Sequence, residues 1–354
     1  MVIFEKVMLD RYSKYKQMLF EWAKAIGISF VCVLVLRTFF FEISPVSSPS
    51  MEKGLLTGDF MLINKLSYGP RLPKTLLSLP FINQRFYSDL IQLPYLRLFG
   101  SPGVERNDVV VFNYPQESEF PVDHRSYFVK RCVALPGDSL TIDNGYVYVN
   151  GQPLDNDALL QYNYHVKSAK LLDSAFFQQY QLNEGGKISD NNDYSFTLTN
   201  ALADTLKSKT FITGIEKSTE KKEMWDEFVF PFNNHYKWNV DNYGPLRIPA
   251  KGDTIRLDSI NLCLFERIIS IYEGNTLEIK NDSVFINNAF SPSYVLRQNY
   301  YFMMGDNRHN SQDSRHWGFV PEDHIIGKAT RIIYSTDKVY HTGIRWERIF
   351  QGIE

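Results

Sequence analysis

The longest apolar run of the chain lies near its N-terminus, from about Trp22 to Phe41. Residues 25–36 carry no charge, and Arg37 interrupts the run close to its end. About 20 residues are needed for a helix to cross the hydrocarbon core of a bilayer, and an arginine near one end can reach the headgroups. The pattern predicts one membrane-spanning helix at 22–41, preceded by a short segment at 1–21.

Basic residues concentrate on one side of this run: Lys6, Arg11, Lys14, Lys16 and Lys24. The positive-inside rule therefore places residues 1–21 in the cytoplasm and everything after Phe41 on the outer, periplasmic side of the membrane. A cleaved secretory leader is the alternative. The length of the run, and the lack of a small-x-small cleavage pattern at its end, favour a permanent single-pass anchor.

Beyond the anchor, turn residues precede short β-branched runs, which is typical of strands. Such runs are Gly58–Asn64, Asn107–Asn113 and Lys251–Leu257, and Tyr127–Asp138 is a further strand-like run. Residues 137–151 and 274–288 echo each other without a gap, and each pattern predicts two short strands around a tight turn. We therefore predict a mainly β fold, with core segments at 42–151 and 296–354.

Two intervals differ from this β pattern. Residues 152–242 are polar, with helix-compatible runs at 168–172 and 199–207, so we predict an inserted α+β cap domain over 152–295. Residues 66–105 form a second insertion, rich in proline, leucine and aromatic residues. Its aromatic residues include Phe81, Phe86, Tyr87, Tyr95 and Phe99. Their side chains either lie in the membrane interface or pack onto the β-core, and the sequence does not decide between these two placements.

Composition narrows the function classes. The chain has 354 residues with 44% hydrophobic and 22% charged residues, as expected for a folded protein. A formal net charge of −2 gives no indication of a basic surface that would bind nucleic acid. Three cysteines argue against a disulfide scaffold, although a bridge between Cys132 and Cys263 stays open. No metal-binding motif is present, so we expect neither metal nor cofactor.

A serine and a lysine offer a possible hydrolytic pair. A serine hydroxyl needs a base to become a nucleophile, and a lysine can be that base only as a neutral amine, which burial favours. On a strand, Lys130 shares one face with Phe128 and Cys132. Taken alone, Lys130 also fits a surface lysine, and Ser50 also fits a Ser/Pro linker after the anchor.

The order of several short motifs decides between these alternatives. They are Ser48-Pro-Ser-Met51, Leu55-Leu-Thr-Gly-Asp59, Arg106-Asn-Asp-Val-Val-Val-Phe112, the run Tyr127–Asp138, and Gly305-Asp-Asn-Arg-His-Asn-Ser-Gln-Asp-Ser-Arg315. In this order after an anchor, the motifs resemble those of the bacterial type I signal peptidases, membrane-bound serine proteases with a Ser/Lys dyad. The resemblance covers about residues 20–65, 106–151 and 296–335.

The resemblance implies a fold, a reaction and a role for each matching residue. It implies a curved antiparallel β-sheet core and the removal of signal peptides of the Ala-x-Ala type from secretory preproteins at the outer face of the cytoplasmic membrane, with membrane lipid as a second partner. The implied roles are Ser50 as nucleophile, Lys130 as general base, Ser48 and Ser50 as oxyanion-hole donors, Ser311 as the residue that orients the lysine, Asp306, Arg308, Asp313 and Arg315 as a supporting network, and Val46, Met51, Phe128 and Val129 as the substrate pocket.

The chain departs from the common family pattern at a few positions. Pro49 stands where glycine is usual, Lys53 and Gly54 replace Pro-Thr, and Ala134 replaces a glycine. Two other hypotheses remain: an inactive, membrane-tethered β-rich scaffold or chaperone-like relative, and a self-cleaving Ser/Lys regulator. The second would need a DNA-binding domain, and the sequence shows no sign of one.

Overall fold

The computed structural model describes residues 2–78, 86–98, 103–154, 158–281, 283–339 and 343–353. Its first element is a single helix, α1 (Val2–Phe39), of which Lys14–Phe39 is long and apolar enough to cross a membrane. The helix ends two residues before the predicted boundary, because Phe41 already pairs with Asn64 as a strand residue.

The strands and helices after α1 follow one another as four groups. The first holds β1 (Phe41–Pro45), β2 (Asp59–Asn64), β3 (Thr75–Ser78), β4 (Tyr87–Gln92), β5 (Val109–Asn113), β6 (Tyr127–Ala134), β7 (Ser139–Asp143), β8 (Tyr146–Val149) and β9 (Gln152–Pro153). The second holds β10 (Gln161–Ser168), α2 (Ser174–Gln179), β11 (Gly185–Lys187), β12 (Asp193–Thr199), α3 (Asn200–Lys207) and β13 (Ile212–Lys217).

The third group holds β14 (Tyr243–Arg247), β15 (Thr254–Arg256), α4 (Leu262–Arg267) with a π-helical turn at Ile268–Tyr272, β16 (Leu277–Lys280), β17 (Ser283–Ile286), β18 (Ala289–Phe290) and β19 (Ser293–Val295). The last holds β20 (Tyr300–Met304), α5 (Ser314–Trp317), β21 (Val320–Pro321) and β22 (Ile325–Ser335). Short 3₁₀ turns lie at Pro49–Met51, Val122–His124, Asn234–Tyr236, Glu322–His324 and Trp346–Arg348.

A curled antiparallel sheet of seven strands forms the centre of the molecule. Its order is β1-β2-β22-β5-β6-β20-β21, so the strands that follow the anchor pair with strands near the C-terminus. Register shifts between β2 and β22 add local twist to the sheet. Apolar clusters cover both of its faces, one around Met51 and Ile63 and another around Phe112 and Met303. The prediction of a mainly β fold with a curved antiparallel sheet is confirmed.

Both predicted hairpins are present. Strands β7 and β8 pair Leu140 with Val149, and β16 and β17 pair Leu277 with Ile286. The first hairpin turns at Asn144 and Gly145, which both have positive φ, as a tight two-residue hairpin loop requires. A short third strand follows each hairpin, β9 in one case and β18 in the other.

Residues 158–217 form an α+β module, with a sheet of order β11-β12-β10-β13 and helices α2 and α3 around their own apolar core. The predicted helix at 199–207 is confirmed as α3, whose first turn is capped by the hydroxyl of Thr199. The helix predicted at 168–172 is wrong. Ser168 ends strand β10, its hydroxyl donates to Lys170 O at 2.7 Å, and α2 begins only after Asp173.

The rest of the predicted cap packs differently. Residues such as Trp238, Ile248 and Ile268 share one apolar core with Val133 and Phe302 of the central sheet. Strand β14 extends the β7-β8-β9 sheet by pairing with β7. The interval 152–295 therefore contains two parts, the α+β module and a segment that belongs to the main core.

The described residues of the insertion at 66–105 include some that contact the fold and some that are exposed. Arg97 donates to Gly69 O at 2.7 Å and to Ile325 O at 2.7 Å, and the Tyr87 ring packs against His124 with the ring centroids 4.4 Å apart. Strands β3 and β4 form a hairpin, and Phe86 beside it is 57% exposed. Tyr95 is half-buried and accepts a hydrogen bond from Arg97. Phe81 and Phe99 lie outside the described residues.

Candidate active site

Ser50 lies in the 3₁₀ turn Pro49–Met51, which follows β1. Ser48 precedes the turn in extended conformation, and Met51 is buried in the apolar cluster below it. Proline suits the first position of a helical turn, since its missing N–H would have no partner there. The unusual Pro49 therefore fits the turn, and the N–H of Ser50 stays free of intrahelical bonds.

Lys130 reaches Ser50 from strand β6. Its Nζ donates to Ser50 Oγ at 2.5 Å, and the two residues are 3% and 5% exposed. Burial lowers the pKa of the Lys130 amine to about 8, although the carboxylates of Asp313 and Asp306 act in the opposite direction. The Phe128 ring lies 5.6 Å from Nζ, as expected for side chains on one strand face. A large share of this amine is therefore neutral in mildly alkaline solution.

Ser48 brings a second hydroxyl group close to the reactive atoms of this pair. Its Oγ lies 3.2 Å from Ser50 Oγ, within hydrogen-bonding distance. The Ser48 hydroxyl and the Ser50 N–H thus belong to residues two positions apart, at the start of this turn. Such a pair of donors is suited to binding an oxygen that becomes negatively charged during acyl transfer.

Two buried ion pairs hold the segment behind Ser50. Arg131 donates twice to Asp306, at 2.7 Å each, and Arg315 donates to Asp313 at 2.9 and 2.8 Å. Burial alone would raise the pKa of Asp313, but the charge and hydrogen bonds of Arg315 hold it well below its usual value. Asp313 also accepts from the N–H of Gly305 at 3.1 Å. These contacts connect β6, the end of β20 and α5.

The network differs from the sequence prediction at two residues. Arg131 belongs to this ion-pair network, which the sequence analysis did not predict. Its position next to Lys130 on a strand places its side chain on the opposite face, and this alternation could have indicated a separate partner. Arg308 is buried, but its side chain donates to Met304 Sδ at 3.8 Å and pairs with no carboxylate among the described residues. Its carbonyl instead accepts from Arg315 at 2.6 Å.

Ser311 lies close to the dyad without a bond to it. The residue is 8% exposed, and its Oγ has no hydrogen-bond partner within the described part of the chain. It packs against Gly305, where an added Cβ would meet Ser311 Oγ and would lie 2.5 Å from Ser50 O. The hydrogen bond to Lys130 that the resemblance implies is therefore not present in this structure, and the role of Ser311 stays a prediction.

A groove of about 290 Å³ opens onto the dyad. Val46, Phe128 and Val129 line it together with Ser48, Ser50 and Lys130, and so do Met61, Tyr127, Asn310 and Gln312, which the sequence analysis did not identify. Met51 does not line the groove, because it points into the core and is 1% exposed. Three of the four predicted pocket residues thus lie together.

Known proteins match this chain over most of its length. The family model described as "Signal peptidase, peptidase S26" matches residues 19–200 and 239–334. The chain belongs to this family. It is therefore a serine peptidase, and Ser50, Lys130 and the groove residues all lie within the matched residues.

Individual relatives of this signal peptidase family agree with the match. Signal peptidase I of Buchnera aphidicola subsp. Schizaphis graminum (strain Sg) is 28% identical over 358 residues, covering 98% of this chain and 85% of the relative. Signal peptidase I of Aquifex aeolicus (strain VF5) is 26% identical, covering 86% and 80% of the two chains. That of Haemophilus influenzae is 24% identical, covering 91% and 72%.

Proposed function

We propose that this peptidase removes N-terminal signal peptides from exported preproteins, with Ser50 as nucleophile and Lys130 as general base. The contact of 2.5 Å between Lys130 Nζ and Ser50 Oγ, made by two buried side chains, carries the proposal. The lowered pKa of the lysine makes it able to accept a proton. The names of the relatives support the substrate class.

The reaction proceeds through an acyl-enzyme. Neutral Lys130 removes the proton of Ser50 as Oγ attacks the scissile carbonyl, and the Ser48 hydroxyl and Ser50 N–H bind the resulting oxyanion. The Lys130 ammonium then gives its proton to the leaving amine of the mature protein. Lys130, neutral again, activates a water molecule that hydrolyses the ester and releases the signal peptide with a new carboxylate.

The groove determines the substrate. Val46, Phe128 and Val129 present apolar surface beside the dyad, and the cavity is small. Small side chains at positions −1 and −3 from the cleaved bond fit this space, which is the Ala-x-Ala pattern at the end of signal peptides. Met51 supports the floor from inside the core instead of touching the substrate.

The anchor helix explains how enzyme and substrate meet. With residues 1–21 in the cytoplasm, the catalytic part lies at the outer face of the cytoplasmic membrane. Ser50 follows Phe41 by nine residues, which span at most about 30–32 Å when extended. The active site therefore lies near the lipid surface, where the apolar part of a signal peptide holds the cleavage site, and membrane attachment raises the effective concentration of both.

Cleavage of a preprotein by the full chain in detergent or liposomes tests the proposal. Ser50→Ala and Lys130→Ala should each abolish cleavage while thermal unfolding shows a folded protein. Residues that act as one unit are not additive, so the double variant should be no slower than either single variant. Retained turnover in either single variant, or no cleavage by the wild type, would contradict the proposal.

A further inference from the structure

One peptide unit joins Pro49 to Ser50, and it contains both the Pro49 carbonyl and the Ser50 N–H. Since the unit is planar, any contact that fixes the carbonyl also fixes the direction of the N–H. Pro49 O accepts from Glu52 N at 2.9 Å within the turn and from Asn307 Nδ2 at 3.4 Å across the site. Asn307 N also donates to Ser50 O at 3.1 Å, so Asn307 holds both peptide units that flank Ser50.

Asn307 is itself fixed. It is fully buried, and its Nδ2 also donates to Glu184 Oε2 at 2.7 Å. Both partners of the side-chain amide, a carbonyl and a carboxylate, are acceptors. The amide must therefore present its NH2 group to them, which settles its orientation.

Glu184 belongs to the α+β module, in the loop between α2 and β11. Other residues of this loop also contact the nucleophile turn: Asn183 donates to the carboxylate of Glu52, and Lys53 donates to Gln181 O at 3.4 Å. Glu52 is 5% exposed, and burial raises its pKa. Residues 181–184 are thus a module loop that braces the turn holding Ser50.

We infer that Asn307, held by Glu184 of the α+β module, positions the Ser50 N–H as an oxyanion donor; this rests on the proposed role of Ser50. Asn307 is a positioning residue, because it touches no reacting atom. A hydrogen bond to the carbonyl of an amide also polarises its N–H, which makes the Ser50 donor stronger. The module therefore contributes to transition-state binding as well as to the fold.

Kinetics of two variants test this inference in the full-length enzyme. Asn307→Asp replaces the NH2 group by an oxygen that faces two acceptors, and Glu184→Ala removes the carboxylate from a half-buried site. Loss of an oxyanion donor lowers kcat by about 10²–10³-fold, so misorientation should lower it by about 10-fold or more, with KM within about 2-fold. Glu184→Gln keeps an acceptor oxygen and should recover most of the rate. Glu216→Ala, at an exposed position on β13, is the matched control.

Inhibitor binding separates positioning from a general structural effect. A signal-sequence peptide aldehyde forms a hemiacetal with Ser50 whose oxygen occupies the oxyanion hole, whereas a non-cleavable peptide of the same sequence does not. In Glu184→Ala and Asn307→Asp, the inhibition constant of the aldehyde should increase by about the same factor by which kcat falls. The inhibition constant of the non-cleavable peptide should not change. Equal weakening of both inhibitors, or an unchanged kcat in Glu184→Ala, overturns the inference.

Failure of the inference and failure of the proposed function look different. If the wild type cleaves, Ser50→Ala does not, and the Glu184 and Asn307 variants behave like the wild type, only the positioning role is wrong. If Ser50→Ala retains cleavage, the proposed function is wrong. Should Asn307→Asp fail to fold, Glu184→Ala and Glu184→Gln decide the matter, because Glu184 lies on a half-buried loop.

Discussion

At the residue scale, the most demanding feature is a lysine buried beside a serine. A charged amine loses its hydration on burial, so the folded chain binds the proton of Lys130 more weakly than the unfolded chain does. The proposed reaction requires this cost in stability, because only the neutral amine can act as a base. Nearby carboxylates limit the effect, since Asp313 and Asp306 favour the charged form.

The stability of a Lys130→Met variant measures this penalty. The pKa of Lys130 is about 8 in the folded protein and 10.5 in the unfolded chain. Between these pH values the unfolded state binds more protons than the folded state, so the stability of the wild-type fold rises with pH. Below pH 8 both states are protonated and the penalty is fully present. We expect Lys130→Met to be more stable than the wild type at pH 7, on the order of 1–3 kcal/mol.

The advantage of Lys130→Met should shrink as the pH rises from 8 to 10.5. Chemical unfolding of the full chain in detergent at several pH values provides the measurement. An exposed lysine, Lys237→Met, is the control and should give a difference that does not change with pH. A constant difference for Lys130→Met would mean that its pKa is the same in both states.

The buried pair of Arg131 and Asp306 gives a second residue-scale prediction. Arg131→Met leaves the Asp306 carboxylate buried without its partner, which typically costs about 3–5 kcal/mol. Arg247→Met, which removes the exposed partner of Asp253, should cost less than about 1 kcal/mol. Unfolding midpoints of the two variants check the difference. Similar midpoints would show that Arg131 is not required for the stability of this segment.

At the scale of elements, the end of β20 packs directly on the turn that holds Ser50. Gly305 is the contact point, since any side chain there would collide with Ser50 O and Ser311 Oγ. We expect Gly305→Ala to lower kcat/KM by at least about 10-fold, because a shift of the turn misplaces groups aligned for the reaction. Gly186→Ala, where nothing lies within 4 Å of an added Cβ, should behave like the wild type. Full activity of Gly305→Ala would contradict the close packing.

Secondary-structure elements that depend on neighbouring residues can be predicted from local sequence patterns. The hairpins at 137–151 and 274–288 depend on turn residues such as Asn144 and Gly145, so their strands are readable from a short window. The run at 168–172 is equally helix-compatible by composition, yet Ser168 pairs with Ile212 of β13 and Ala169 N donates to Phe211 O, which commits the start of the run to extended backbone. Propensity alone could not show this, because the partner strands lie elsewhere in the chain.

In the candidate site, too, local motifs are predictable from the sequence and contacts between distant residues are not. Ser50, Lys130 and their neighbouring motifs are identifiable from the sequence because their residue types and order are characteristic of a family. The pairing of Arg131 with Asp306 joins residues 175 positions apart, and no local pattern reports it. Likewise, Met51 follows Ser50 directly, but the geometry of the 3₁₀ turn points it into the core and away from the groove.

At the scale of the whole molecule, the question is which surface faces the lipid. The hairpin β3–β4 exposes Leu90 at 86% and Phe86 at 57%, whereas Tyr87 and Tyr95 are half-buried against the fold. Exposed apolar side chains of this kind are found in membrane interfaces. This difference in exposure favours Phe86 and Leu90 as interfacial residues, whereas Tyr87 and Tyr95 pack onto the core.

An environment-sensitive probe locates the hairpin in a lipid nanodisc. We expect a fluorophore on Leu90→Cys to emit at shorter wavelength than one on Ile188→Cys, a matched exposed position in the α+β module, because only the first is shielded from water by lipid. Cys32→Ser and Cys263→Ser in the background prevent labelling elsewhere. Equal emission from both sites in the nanodisc would place the hairpin in water.

The central claim, that Lys130 acts as a neutral base for Ser50, is tested most directly by the pH dependence of kcat/KM for preprotein cleavage. This ratio reports the ionisation of the free enzyme. The buried lysine predicts a limb that rises with pH through a pKa of about 8, as the ammonium loses its proton. A limb near the ordinary lysine value of about 10.4, or a rate that does not rise with pH, would contradict the account.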